Sequence, residues 1–202
     1  VTYWDAIDQN SVLIFETIHR PIVTEKILQP FFRISSTAFA VSLQSIAKDE
    51  YELLYSYPLI EKEYILLLKD TILSQSKQKI VSRLYNGNEI KEIRDEKNAV
   101  TAAFTYIDEV FLLSKSSFLI ENAIRTFADK RSVNFRTQNK KLFQFASIKS
   151  DAGNFYINFN QLSRSTLTNS SLRNSIPLLN QFAKSAMLDV KVDDSFISMN
   201  GF

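Results

Sequence analysis

Cysteine is absent from the 202 residues, which removes disulfides, thiol nucleophiles and thiolate zinc sites at once. The redox compartment is left open by the same fact. Glycine is almost as scarce, with three residues at 87, 153 and 201, no two of which share a loop. Phosphate-cradling loops need several glycines close together, because only glycine lets backbone N–H groups close on a phosphate. Neither G-x-G-x-x-G nor G-x-x-x-x-G-K-[ST] is therefore present, and the G-x-S-x-G elbow of α/β-hydrolases is excluded too. A single histidine, His19 in "ETIHRP", is too few nitrogen ligands for zinc in a chain without thiolates. A triad would need His19 beside a serine and an acid such as Glu16, but its place next to Arg20 and Pro21 reads as a strand-to-helix corner. No apolar run approaches the roughly 18 residues that span a bilayer. "YILLLKDTIL" is broken by Lys69 and Asp70 and reads as an amphipathic helix.

What the chain does have is core material. Hydrophobic residues make up 45% of it, with 16 Phe and 8 Tyr, enough for a large core without a staple. The net charge is +2, with Lys and Arg interspersed among Asp and Glu. No basic face that would draw nucleic acid stands out, and the short spots "DKR" (129–131) and "NKK" (139–141) read as solvated loop.

Alternating and helical patterns then place the elements. "SVLIFETI" (11–18) reads as a buried strand, and "IVTEKILQPFF" as a short helix limited by Pro30. "TAFAVSLQ" and "YELLYSYPL" form a hairpin with Phe39, Val41 and Leu43 on one face, and residues 60–75 follow as a helix. Four strands then meander. The first two, about 80–85 and 89–94, flank Asn86-Gly87, the turn pair that tolerates positive φ. In the third, Val100, Ala102, Phe104 and Tyr106 share a face, and "VFLLS" is the fourth. "SSFLIENAIRTFADK" is a helix with a serine N-cap and a stripe of Ile120, Ile124, Phe127 and Ala128. In the C-terminal third, "LFQFASI" reads as a short strand, "NFYINFNQL" as a strand with Phe155, Ile157 and Phe159 inward, and "DAGN" (151–154) as a turn. A helix buries Leu172, Ile176, Leu179 and Phe182 with a kink or restart at Pro177, and a final hairpin surrounds Asp193-Asp194.

The element order suggests a pseudo-repeat in which the strand at Val12 corresponds to the strand at Phe155. The resulting expectation is an α+β fold: antiparallel sheet in strand–helix–hairpin units, helices packed on one face, second unit incomplete. Residues 1–131 would form the first unit, 132–153 a connecting segment with a short strand, and 154–202 the start of a second unit packed on the first. On this reading Phe202 is a boundary within a longer natural chain.

No residue is assigned a catalytic, cofactor-binding or metal-binding role. Glu61 and Glu63 fall on a solvated helix face, while Asp108-Glu109 and Asp193-Asp194 fall in turns, where acids are favoured by turn geometry alone. Tyr51, Tyr55 and Tyr57, with Tyr64, could form a recognition surface, but alternation with leucine fits core packing better.

The phrases "SVLIFETI", "FAVSL", "YELLYSYPL", "YNGNEI", "VFLLSKSSFLIENAIR", "NFYINFNQLS" and "DDSFISMNGF" resemble uncharacterised envelope-associated proteins of Gram-negative bacteria, known only as a domain of unknown function. The resemblance implies a cell-envelope or periplasmic location, a signal or lipid-anchor segment upstream, and more of the repeated region downstream, sometimes with a propeller-like β domain. It supplies no active site. The expected function is a non-enzymatic binding or scaffolding module of a larger envelope protein, its partner another envelope protein or the rest of its own chain. The alternative is a small-ligand-binding or hydrolytic domain with a pocket lined by carboxylates and tyrosines.

Overall fold

The computed structural model describes residues 3–17, 39–58, 79–129, 134–145, 153–165, 170–192 and 197–201. The helices expected at 22–32 and 60–75, together with His19, Glu61, Glu63, Tyr64 and Asp193-Asp194, lie outside the described residues.

Alternation of apolar residues produces most of the strands. β1 (Leu13–Thr17), β2 (Phe39–Ala47), β3 (Glu50–Pro58), β4 (Lys79–Tyr85), β5 (Asn88–Arg94), β6 (Val100–Ile107) and β7 (Val110–Ser114) are followed by β8 (Gly153–Asn158), β9 (Ser185–Val192) and β10 (Ile197–Gly201). All ten join one sheet, paired antiparallel throughout, in the order β10-β9-β8-β1-β2-β3-β7-β6-β5-β4. This overturns the α+β expectation of a complete unit and an incomplete second one. The sheet runs through both supposed boundaries, because β8 hydrogen-bonds directly to β1 and so extends the first sheet. Phe15 stands opposite Phe155 in that pairing. From the β1–β8 pair outward the two flanks read alike: a neighbouring antiparallel strand, then its hairpin partner.

Two-residue periodicity gives the sheet two different faces. One is aromatic: Phe39, Tyr57, Phe111 and Phe104 come from four adjacent strands, with ring centroids 4.9, 6.3 and 5.8 Å apart in succession. Of the tyrosine run, Tyr57 is buried in this core and Tyr55 packs against it, and burial pushes the Tyr57 phenol well above its ordinary range. The other face carries helix α1 (Ser117–Ala128), whose Leu119, Ile120, Ala123 and Ile124 pack on Leu54, Ile90, Ala103 and Leu112. The buried stripe therefore sits nearer the N-terminus than expected, and Ala128 is exposed. Val100 also joins this face rather than that of Phe104, because a register shift between Ile93 and Arg94 changes its side. All five residues of β7 are buried, so the sheet is enclosed on both faces there, not on one.

Short apolar runs deceived the sequence reading further on, since periodicity alone cannot separate a short strand from a short helix. "LFQFASI" overlaps helix α3 (Lys140–Phe145), preceded by the single-turn α2 (Phe135–Gln138), whose Asn134 cap accepts from Thr137 N–H. β8 ends at Asn158, whose side chain accepts from Gln161 N–H, so Phe159 opens helix α4 (Phe159–Arg164) instead of extending the strand. Asn154, expected in a turn, lies within β8. Helix α5 (Ser170–Phe182) runs through Pro177 without a restart. Of its expected buried stripe Ile176 is buried, whereas Leu179 and Phe182 are exposed.

The β4–β5 turn adopts φ of 47° at Asn86 and 78° at Gly87, as the Asn-Gly pair predicts. A Cβ at Gly87 would meet nothing within 4 Å, so Gly87→Ala should cost about 1 kcal/mol through backbone conformation alone. Phe111→Ala should cost roughly 4 kcal/mol by opening the aromatic row. Urea unfolding midpoints check both; an equal loss in the two variants would contradict this division of the fold.

Candidate functional site

Polar side chains that alternate with core residues must enter the core, and one acid does so completely. Glu92 shares its face of β5 with Ile90 and is 2% exposed. Its Oε1 accepts from Arg83 Nε at 2.7 Å and from Ser117 Oγ at 2.9 Å, and its Oε2 accepts from Arg94 Nε at 3.0 Å and from Arg94 Nη2. Arg83 reaches on to Glu121 of α1 at 2.7 Å. Burial raises the Glu92 carboxyl, but the hydrogen bonds from Arg83, Arg94 and Ser117 outweigh it, holding the group below the usual glutamate range. Every acceptor position that chemistry would need is thus occupied, and the cluster acts as a clamp between β4, β5 and α1. Ser116 holds the N-cap position expected of a serine, but its hydroxyl makes no capping bond; it is Ser117 that turns to Glu92. Sequence reading passed over Glu92, although an acid in register with Ile90 inside "EIKEI" was the signal for it.

A polar cleft of about 500 Å³ opens at one end of the sheet, lined by Asp8, Gln9 and Asn10, by Asn86 of the β4–β5 turn, and by Arg125 and Asp129 at the end of α1. Asp8 is engaged on both oxygens, by Asn10 N–H at 2.7 Å and by Asn122 Nδ2 at 2.7 Å. Arg125 Nη2 donates to Asn122 Oδ1 at 3.3 Å and lies over the Phe118 ring. Asp8 therefore fastens the N-terminal loop to α1 and is not poised as a general base. No tyrosine lines this cleft, in contrast to the pocket that the alternative reading invoked.

Among the described residues no three histidine, cysteine or carboxylate side chains converge, and no helix among them is long and apolar enough to cross a membrane. Asp108 and Glu109 occupy the β6–β7 turn with φ of 43° and 68°, both exposed, as turn acids. Glu16 projects from the face that carries α1 and accepts from Trp4 Nε1 at 3.3 Å and Asn154 Nδ2 at 2.8 Å.

Because the folded Glu92 lies below its ordinary value of about 4.3, its contribution is complete above that pH and is lost as pH falls through the lower folded value. Glu92→Gln should therefore flatten the acid limb of a stability–pH profile, and Glu92→Ala should cost about 3 kcal/mol by leaving Arg83 and Arg94 without their shared acceptor. Urea midpoints measured from about pH 6 to pH 2 test this; parallel limbs for wild type and Glu92→Gln would contradict it.

No curated protein and no solved structure matches the chain. Residues 58–201, well over half of its length, match the family described as protein of unknown function (DUF3352), and the chain belongs to that family.

Proposed function

We propose that this chain is a non-enzymatic binding or scaffolding module of a larger cell-envelope protein. The observation that carries the reading is how the buried and cleft acids are used: Glu92 and Asp8 are held on both oxygens by groups that join one element to another. A carboxylate tied in this way contributes to shape and cannot take up a proton from a substrate without breaking the fold's own bonds. An apolar surface at the end of α5 adds support, with Leu178, Leu179 and Phe182 at 58, 47 and 87% exposure on adjoining turns. Large apolar side chains clustered in the open favour contact with a protein partner, whether another envelope protein or the remainder of the natural chain. The envelope or periplasmic location, the upstream anchor and the downstream propeller-like domain rest on the sequence resemblance.

A second reading, a binder of a small polar ligand, is favoured by the cleft of about 500 Å³ and its Arg125 and Asp129 side chains.

Two variants of the full-length protein separate these readings. Leu179→Ser/Phe182→Ser should leave Tm within about 2 °C, because exposed positions contribute little to stability, yet shift the protein to smaller species in size-exclusion of envelope extracts. Asp8→Asn should leave any hydrolysis in the preparation unchanged. Ester, phosphate or glycoside hydrolysis that disappears in Asp8→Asn would overturn the scaffold reading.

A further inference from the structure

Two groups of exposed apolar side chains stand near opposite edges of the sheet. Near one edge, α4 and α5 link β8 to β9, and Phe159 N–H donates to the Lys184 carbonyl at 3.1 Å where that excursion leaves and rejoins the sheet. Leu178, Leu179 and Phe182 of α5 are exposed there. At the other edge, Leu84 of β4 is 77% exposed and stands opposite Glu89 of β5. Because Ile90 is opposite Thr105 in the antiparallel β5–β6 pair, the start of β5 and the β6–β7 turn share one end of the sheet. Seven strands separate β9 from β4, and no described pairing closes the sheet on itself.

The charge around the two groups is opposite in sign. Residues 130–192 contain ten Lys and Arg against two Asp, although the whole chain has a net charge of only +2. Within that stretch Arg164, at the end of α4, and Lys184, just after α5, are exposed and enter no described ion pair. Asp189, the one acid among its described residues, is buried. Near Leu84 the exposed charged residues are Glu89, Asp108 and Glu109. Glu89 holds Lys91 at 3.6 Å, an open contact that leaves its own side chain 52% exposed. Arg83 is committed to Glu92 and Glu121 on the opposite face.

We infer that the α5 patch of one molecule seats on the Leu84 edge of a second copy of this chain, with Arg and Lys facing Glu and Asp around an apolar centre. The inference rests on the scaffold reading of that patch and names its partner. Each surface carries the charge that the other lacks, and both expose apolar side chains, so the complementary pair is present within a single sequence. Two copies of the basic patch would repel each other, which disfavours a two-fold pairing of like surfaces. Across seven strands at a spacing of about 4.8 Å the two surfaces cannot meet within one molecule. The contact is therefore head to tail. It leaves one unused surface at each end of any oligomer, so assembly continues as concentration rises. A few side chains on each side make it a weak contact that salt loosens.

Sedimentation velocity of the purified full-length protein tests this. Wild type should pass from monomer at about 5 µM to a series of larger species at about 500 µM, and about 0.5 M salt should reverse the shift. Phe182→Ser/Lys184→Glu blocks the α5 patch and Glu89→Lys/Glu109→Lys blocks the β4 edge. Each should stay monomeric with Tm within about 2 °C of wild type. Mixed in equal amounts, the two variants should form a dimer and nothing larger, because only one intact pair of surfaces remains between them. The inference is overturned if wild type stays monomeric, if either variant assembles like wild type, or if the mixture gives no dimer. Monomeric wild type combined with the Leu179→Ser/Phe182→Ser shift in envelope extracts would overturn it and leave the scaffold reading standing with a different partner. Monomeric wild type that floats with phosphatidylglycerol vesicles, an association lost in Phe182→Ser/Lys184→Glu, would overturn it in favour of a lipid surface.

Discussion

One short strand, β1, holds the two parts of the sheet together. Its five residues pair with β2 along one edge and β8 along the other, so every strand C-terminal to residue 153 reaches the N-terminal meander through it. An inner strand has no open edge, and its backbone groups must all be satisfied by its neighbours. The bonds continue just beyond it, where Val12 donates to Leu43 and accepts from Asn158. Loss of β1 would therefore unpair β2 and β8 together and expose two apolar edges at once.

The rest of the structure reinforces that junction from one face. Trp4 stacks on Phe135, and Phe135 meets Tyr156 of β8 edge-on at 4.2 Å, so the N-terminal turn and α2 cover the β1–β8 seam. Asn134 donates to Asp5 across the same junction. At the far end of the sheet Glu92 does for the β4–β5 edge what β1 does for the middle, linking the strands to α1 through Arg83 and Glu121. The buried hydroxyls on this face follow the same pattern, with Ser114 and Thr105 donating to carbonyls of neighbouring strands. Polar groups here are used mainly to join elements, which is the physical basis for reading the domain as a scaffold.

Legibility followed the range of the interactions. The β2–β3 hairpin, the β4 to β7 meander, the Asn-Gly turn and α1 were readable because each depends on neighbours in sequence: alternation, turn residues and a helical stripe. Glu16, Asn154 and Asp189 were not readable as a group. Each stands in a different strand, and only strand pairing makes them adjacent. Leu179 and Phe182 show the reverse error: helical spacing marked an apolar stripe, but whether anything covers a stripe is not encoded in its periodicity.

The amino-acid sequence by itself determined what chemistry is unavailable. Without cysteine and with isolated glycines, thiol catalysis, thiolate zinc sites and glycine-rich phosphate loops are ruled out within these 202 residues. It also determined local conformation, because φ preference and side-chain alternation act over a few residues. The tertiary structure alone decided that the two halves share one sheet, since pairing β1 with β8 joins residues about 140 positions apart, a partnership that no local pattern specifies. It likewise decided which acids are buried and what they touch, because burial is a property of the assembled faces and not of any one strand.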